Sequence, residues 1–182
     1  LVFFKIHKGE NLSEVDLVVF SSAIKQDNPE IIEAKKNNIK IIKRAEMLAE
    51  LTNLKKSILI AGSHGKTTTT CIAAHIFKEN NLDPTYIIGG KVSSFESNAN
   101  LGDGKHIFAE ADESDGSFLL FNPDKAIITG IDNDHLETYQ GNIENLKKAF
   151  VEFIKKVKST VFILDLEKKW LKDLSLGTEN II

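Results

Sequence analysis

Short apolar runs alternate with stretches of helical period along this chain. Residues 16–20 (DLVVF), four apolar residues after Asp16, predict a buried strand. Asn28-Pro29-Glu30 predicts a helix start, with Asn28 as N-cap and Pro29 at the first helical position. That helix runs to about Asn37, beside which Asn38 is a plausible cap. A short strand over 39–42 and a helix over 44–52 follow, the latter with Ala45, Leu48 and Ala49 on one face. Residues 57–61 (SILIA) read as a strand ending in Gly62, and 66–80 as a helix. Residues 85–88 suit a strand before Gly89-Gly90, 93–104 a polar loop, 105–109 a strand ending at Glu110, and 125–129 (KAIIT) another strand. From Asn142 onward, Ile143, Leu146, Ala149, Phe150, Phe153, Ile154 and Val157 recur at helical spacing. A strand over 161–164 and a helix over 167–174 complete the pattern. Strands alternating with helices imply an α/β fold, a mainly parallel sheet with helices on both faces. In such sheets ligands bind beyond the carboxyl ends of the strands.

Composition narrows the function classes. The 182 residues allow one domain, or one plus part of another. A hydrophobic content of 42% supports a core and excludes overall disorder. Lys+Arg 23 against Asp+Glu 26 gives a net charge of −3, which offers no electrostatic footprint for nucleic acid. Cys71 is the only cysteine, so neither an intrachain disulfide nor a cysteine-based zinc cluster forms. No apolar run reaches the roughly 18–20 residues of a membrane span. The opening LVFF is too short for a signal-peptide core and is followed, not preceded, by Lys5, His7 and Lys8. Arg44 is the only arginine, so phosphate would have to be held by lysine, backbone N–H groups and metal.

The run after SILIA is Gly62-Ser63-His64-Gly65-Lys66-Thr67-Thr68-Thr69-Thr70, and a helix follows. Glycines let backbone wrap closely around phosphate oxygens, and a helix N-terminus aims free N–H groups and its positive dipole end at the anion. Lys66 suits the β- and γ-phosphates and the Thr67 hydroxyl suits Mg²⁺. The loop is a G-x-x-G-K-T variant, since Ile60 stands where the general pattern has its first glycine. The alternative is an ordinary strand–turn–helix with a surface lysine.

The strand at 105–109 ends in Glu110-Ala111-Asp112-Glu113-Ser114-Asp115. A carboxylate at such a strand end, near a phosphate loop, suits Mg²⁺, and Glu110 directly continues the strand. The alternative is a solvated acidic loop. After KAIIT, His135 lies in the polar run 130–139, either as a solvated loop histidine or as a second-metal ligand or phosphate contact. His64 lies inside the loop and faces ligand or loop backbone. His75 falls mid-helix and reads as structural; Cys71 reads as helix packing.

Together these motifs resemble the Mur ligases, the ATP-dependent amide-forming enzymes of peptidoglycan synthesis. The resemblance rests on 61–70 (AGSHGKTTTT), 110–119 (EADESDGSFL) and 134–142 (DHLETYQGN), with SSAI, DNPEI and KRAEMLAEL upstream. It covers roughly 12–157 and accounts for the shortened glycine spacing. It implies a nucleotide site of Gly62, Ser63, His64, Gly65, Lys66, Thr67 and Thr68; metal binding by Thr67, Glu110 and His135; and catalytic roles for Lys66, Glu110 and His135. His64, Gly89, Gly90, Asp112, Glu113 and Ser114 are the implied contacts to a muramyl substrate. The implied cofactors are ATP and Mg²⁺. The implied reaction is ligation of L-alanine to the carboxylate of UDP-N-acetylmuramate through an acyl phosphate, in the bacterial cytoplasm, without nucleic acid or membrane insertion. The alternatives are the branch that adds a murein tripeptide to the same acceptor, and a nucleotide-binding module without ligase activity. Gly130 departs from the asparagine the family commonly has there, and Ser63 from a common threonine. The resemblance also implies domains: 1–54 as the end of a Rossmann-like, UDP-binding domain and 55–182 as the first part of a P-loop, mainly parallel-sheet ATP-binding domain. With no amino-acid-binding domain and Leu1 in place of methionine, the chain reads as a fragment inactive alone.

Overall fold

In the computed structural model, which describes residues 7–90, 97–134, 136–163 and 182, the chain divides into two compact units, 1–48 and 49–182. The division expected from sequence lies near Leu54.

The first unit is a β-α-β crossover. Strand β1 (Leu17–Phe20) runs parallel to β2 (Lys40–Lys43), with Leu17 opposite Lys40 and Phe20 opposite Lys43. Helix α1 (Pro29–Lys36) connects them. The side chain of Asn28 accepts from the Glu30 N–H at 2.9 Å, and Pro29 sits in the first turn, where its missing N–H costs nothing. Asn38, at φ 56°, then turns the chain out of the helix. Ile31 and Ala34, one turn apart, are the buried face. The sequence over 16–20 predicts a buried strand, but β1 is half-buried and Val19 is 37% exposed. Among the described residues its sheet has only two strands. Helix α2 (Arg44–Thr52) follows directly, its start capped by the Glu46 carboxylate on the Lys43 N–H at 2.6 Å.

The second unit carries a six-stranded sheet in the order β5-β4-β6-β3-β7-β8. Its strands are β3 (Lys56–Ala61), β4 (Thr85–Ile87), β5 (Ala99–Asn100), β6 (His106–Glu110), β7 (Lys125–Ile128) and β8 (Thr160–Ile163). All pairings are parallel except β4 with β5. The short strand β5 corrects the expectation of a loop throughout 93–104; two residues are too few to show a period, and 93–96 lie outside the described residues. Two 3-10 turns, Ser117–Leu120 and Leu136–Tyr139, also lack a sequence signature. The helix expected over 167–174 lies outside the described residues.

Alternation along the central strand sorts the core into two faces. On one, Ile58 and Ile60 join Tyr86, Ile88 and Phe108 beneath Cys71 and Ala74 of helix α3 (Lys66–Glu79). Phe77 of α3 meets Phe108 edge to face at 4.8 Å. On the other, Leu59, Ala109, Ala126 and Ile128 are fully buried. Helix α4 (Ile143–Lys155), capped by Asn142 on the Glu144 N–H at 2.9 Å, buries Leu146, Phe150, Phe153 and Ile154. Phe118 fills the space below it, with ring centroids 5.0 Å from Phe150 and 5.2 Å from Phe153.

Phe150 is fully buried against Phe118. Phe150→Ala is expected to cost about 3–5 kcal/mol, because it removes both transfer energy and packing. Denaturant unfolding measures this, and a loss under about 1 kcal/mol would detach α4 from the core.

Candidate functional site

The strand register brings three chain ends into one row. Strand β3 lies between β6 and β7, with Ile60 opposite Glu110 and Ala61 opposite Ile128. The row continues past the strands: Ala111 donates to Ile60 O, Thr129 to Ala61 O and Ser63 to Gly130 O, each at 2.9 Å. The loop after β3, the acidic run after β6 and the polar run after β7 therefore start side by side.

The loop 62–65 is shaped by two positive φ angles. Gly62, at 131°, has no room for a side chain; a Cβ there would meet the Thr129 hydroxyl and, at 2.8 Å, Gly130 O. Gly65, at 81°, is the N-cap of α3 and supplies no side-chain acceptor. The first-turn N–H groups, which have no acceptor within a helix, are thus left for an anion. The Thr129 hydroxyl braces the loop from β7 between the carbonyls of Ala61 and His64. The Ser63 hydroxyl accepts from the Asp132 N–H at 2.9 Å. Thr129 and Asp132 have no motif of their own; only their place just past a neighbouring strand signals the contact.

Lys66 opens α3 and points back into the loop. Its ammonium donates to Gly62 O at 2.8 Å and to both oxygens of Glu113, at 2.8 and 3.1 Å. Asp112 Oδ1 lies 4.0 Å away. Glu113 is 1% exposed. The sequence expectation makes Glu113 a substrate contact; its carboxylate here is turned inward onto Lys66. Asp112 remains half-exposed and Ser114 donates to its Oδ1 at 3.1 Å.

One turn edge away, the Thr67 hydroxyl donates to Glu110 Oε2 at 3.2 Å. Glu110 Oε1 accepts from the Gly89 N–H at 2.8 Å, which brings the Gly89-Gly90 turn to the same carboxylate. A hydroxyl and a carboxylate oxygen this close are hard donors suited to Mg²⁺. Among the described residues no three His, Cys, Asp or Glu side chains converge on one point. A dication at Thr67 and Glu110 would thus complete its shell with phosphate and water, as Mg²⁺ does in phosphoryl-transfer sites.

His64 projects from the loop to Asp134, Nε2 to Oδ2 2.8 Å, with Asp132 at 4.0 Å; both partners are exposed. His135, next to Asp134, lies outside the described residues. Thr68 continues the first turn of α3. His75 is exposed on α3 beside Glu79, and Cys71 is buried in the core, where desolvation and then Glu110 push its thiol pKa up.

The acidic turn is clasped from the polar run. Tyr139 is buried and its hydroxyl donates to Glu113 O; Thr138 donates to Ser114 O at 2.6 Å. Burial first, then the charges of Glu113, Asp115 and Asp112, push the Tyr139 phenol up to about 12. Tyr139 lies in the 134–142 run that carries the family resemblance, but that run assigns it no role.

Residues 60–181 match the family model of the Mur ligase middle domain, and residues 2–56 that of the Mur ligase family, catalytic domain. The UDP-N-acetylmuramate–L-alanine ligase of Pelobacter propionicus is 56% identical over 151 residues, which are 83% of this chain and 33% of that protein. The chain spans about a third of the length of the curated relatives it matches. The crystal structure of UDP-N-acetylmuramate-alanine ligase from Thermotoga maritima superposes with a TM-score of 0.78 at 32% identity, covering 88% of this chain and 37% of that one. The UDP-N-acetylmuramate:L-alanyl-gamma-D-glutamyl-meso-diaminopimelate ligase of Neisseria meningitides shares the fold, with a TM-score of 0.76 at 22% identity over 93% of this chain and 58% of that one.

The phenol of Tyr139 gives the clasp a pH signature. An unfolded tyrosine ionises near pH 10, so between about 10 and about 12 the unfolded state releases a proton that the folded state retains. Stability attributable to Tyr139 is full below that window and lost across it. Tyr139→Phe is expected to cost about 1 kcal/mol at neutral pH through the lost hydrogen bond. The difference between the proteins in denaturant unfolding should then shrink as pH rises above about 10. A constant difference across that range would show that the phenol does not titrate this way.

Proposed function

The chain belongs to the Mur ligase family, and on that footing we propose that it serves ATP-dependent ligation of L-alanine to the carboxylate of UDP-N-acetylmuramate, a step of peptidoglycan synthesis in the bacterial cytoplasm. The observation that carries this reading is the juxtaposition of the Lys66 loop with the Thr67–Glu110 oxygen pair at adjoining strand ends. The choice of L-alanine over a tripeptide is supported by 53–56% identity to relatives named for the alanine reaction. No helix among the described residues is long and apolar enough to cross a membrane.

In this reading ATP phosphorylates the acceptor carboxylate, the amino group of L-alanine attacks the acyl phosphate, and phosphate leaves. The loop N–H groups of 62–68 and Lys66 hold the transferring phosphoryl group, and their task is positioning and charge neutralisation. Bound Mg²⁺ supplies charge neutralisation at the phosphates; Thr67 and Glu110 would hold one ion and His135 a second. His64, Gly89, Gly90, Asp112 and Ser114 would lie toward the muramyl substrate. Residues 1–54 would belong to the UDP-binding domain and 55–182 to the ATP-binding domain.

Charge supports the metal. Around the loop, Glu110, Asp112 and Glu113 outnumber the single ammonium of Lys66. A free polyphosphate would meet net repulsion there, whereas a metal-bound one would not. ADP binding followed by calorimetry is expected to weaken by at least about tenfold when Mg²⁺ is chelated, and Glu110→Gln should raise the Mg²⁺ concentration required. Metal-independent binding would remove Glu110 from this role.

The reaction itself is tested in the full ligase carrying this chain. Lys66→Ala is expected to lower turnover by roughly 10²–10³. Phosphate release should depend on L-alanine; activity with the murein tripeptide alone would replace the proposed substrate by that of the recycling branch.

A further inference from the structure

Glu113 is the one nearly inaccessible carboxylate at the site, and the proposed chemistry gives it no task. A buried carboxylate is costly unless paired, and this one is paired bidentately with the loop lysine. An ammonium has only three N–H donors. In Lys66 all three already face acceptors: Gly62 O and the two oxygens of Glu113. The carboxylate is itself fixed: its backbone carbonyl accepts from the buried Tyr139 hydroxyl and from the Gly116 N–H at 3.0 Å. The acidic turn is thus anchored before it reaches the lysine.

We propose that Glu113 is a positioning residue that holds the Lys66 ammonium in one orientation toward the phosphate, and that it sets the charge the phosphate meets. The inference rests on the phosphate-binding reading of the loop but not on which amine is ligated. It has an unusual consequence. The Glu113 charge opposes phosphate binding, so its removal should strengthen nucleotide affinity, while the freed lysine loses the orientation that transfer needs. A carboxylate that only stabilised the fold would move both quantities in the harmful direction.

The test measures Mg·ADP binding by calorimetry and single-turnover phosphoryl transfer in the full ligase. For Glu113→Gln the expected result is affinity tightened by roughly threefold to tenfold and a transfer rate lowered by roughly tenfold or more. Weaker binding together with slower transfer, or an unchanged rate, overturns the proposal. Should Glu113→Gln fail to fold, Glu113→Asp keeps the charge and shortens the reach. Its affinity should then match the parent while transfer slows, and an unchanged rate overturns the proposal equally. If L-alanine proves not to be the amine, the binding arm still reads the Glu113 effect, so the two readings fail separately.

Discussion

The parallel hydrogen-bond ladder that seats β3 between β6 and β7 is the constraint on which the site depends. Because Ile60 faces Glu110 and Ala61 faces Ile128, the three strands end level with one another. The bonds Ala111 to Ile60, Thr129 to Ala61 and Ser63 to Gly130 continue that ladder into the loops. A register slip of one residue would turn Ile58 and Ile60 from the α3 face to the opposite face. The same slip would carry Glu110 away from Thr67. Core packing therefore enforces the position of the chemistry: the buried side chains on both faces of β3 leave the strand ends one arrangement.

What the sequence made legible follows from which features are local. The α3 start, the 62–65 loop and the α4 face are written in contiguous residues: glycines where φ is positive, a lysine and threonines on the first turn, apolar residues at helical spacing. The N-cap Asn28 is likewise a short-range signal and bonds as expected; Asn142 caps α4 in the same way. What stayed hidden is non-local. Thr129 and Asp132 matter because β7 is the neighbour of β3, an adjacency that no spacing along the chain encodes. Tyr139 matters because a 3-10 turn too short to show a period folds it against Glu113.

Glu113 shows the same limit from the opposite side. In a run of Glu110, Asp112, Glu113 and Asp115 the residues are chemically near-equivalent, and the expectation that Glu113 contacts substrate came with the family resemblance. Backbone geometry separates them. Glu110 ends a strand and meets Thr67; Asp112 caps its own turn and stays half in solvent; Glu113 is drawn beneath by the bonds from Gly116 and Tyr139. One segment thus places a carboxylate against Thr67 at the strand end and, three residues on, a buried counter-charge against the lysine.

That division of labour explains why a lone arginine in the chain is no handicap to a phosphate site. A guanidinium brings a rigid fork that orients itself on its anion, whereas a lysine is a flexible point charge with high rotamer entropy. In this loop the order comes from outside the side chain: Gly62 O and the fixed carboxylate of Glu113 hold the ammonium before any ligand arrives. The counter-charge weakens the attraction for phosphate, and the oxygen pair of Thr67 and Glu110 offers a place for the cation that restores it. Lysine geometry and the proposed cation site then trace to the same acidic segment.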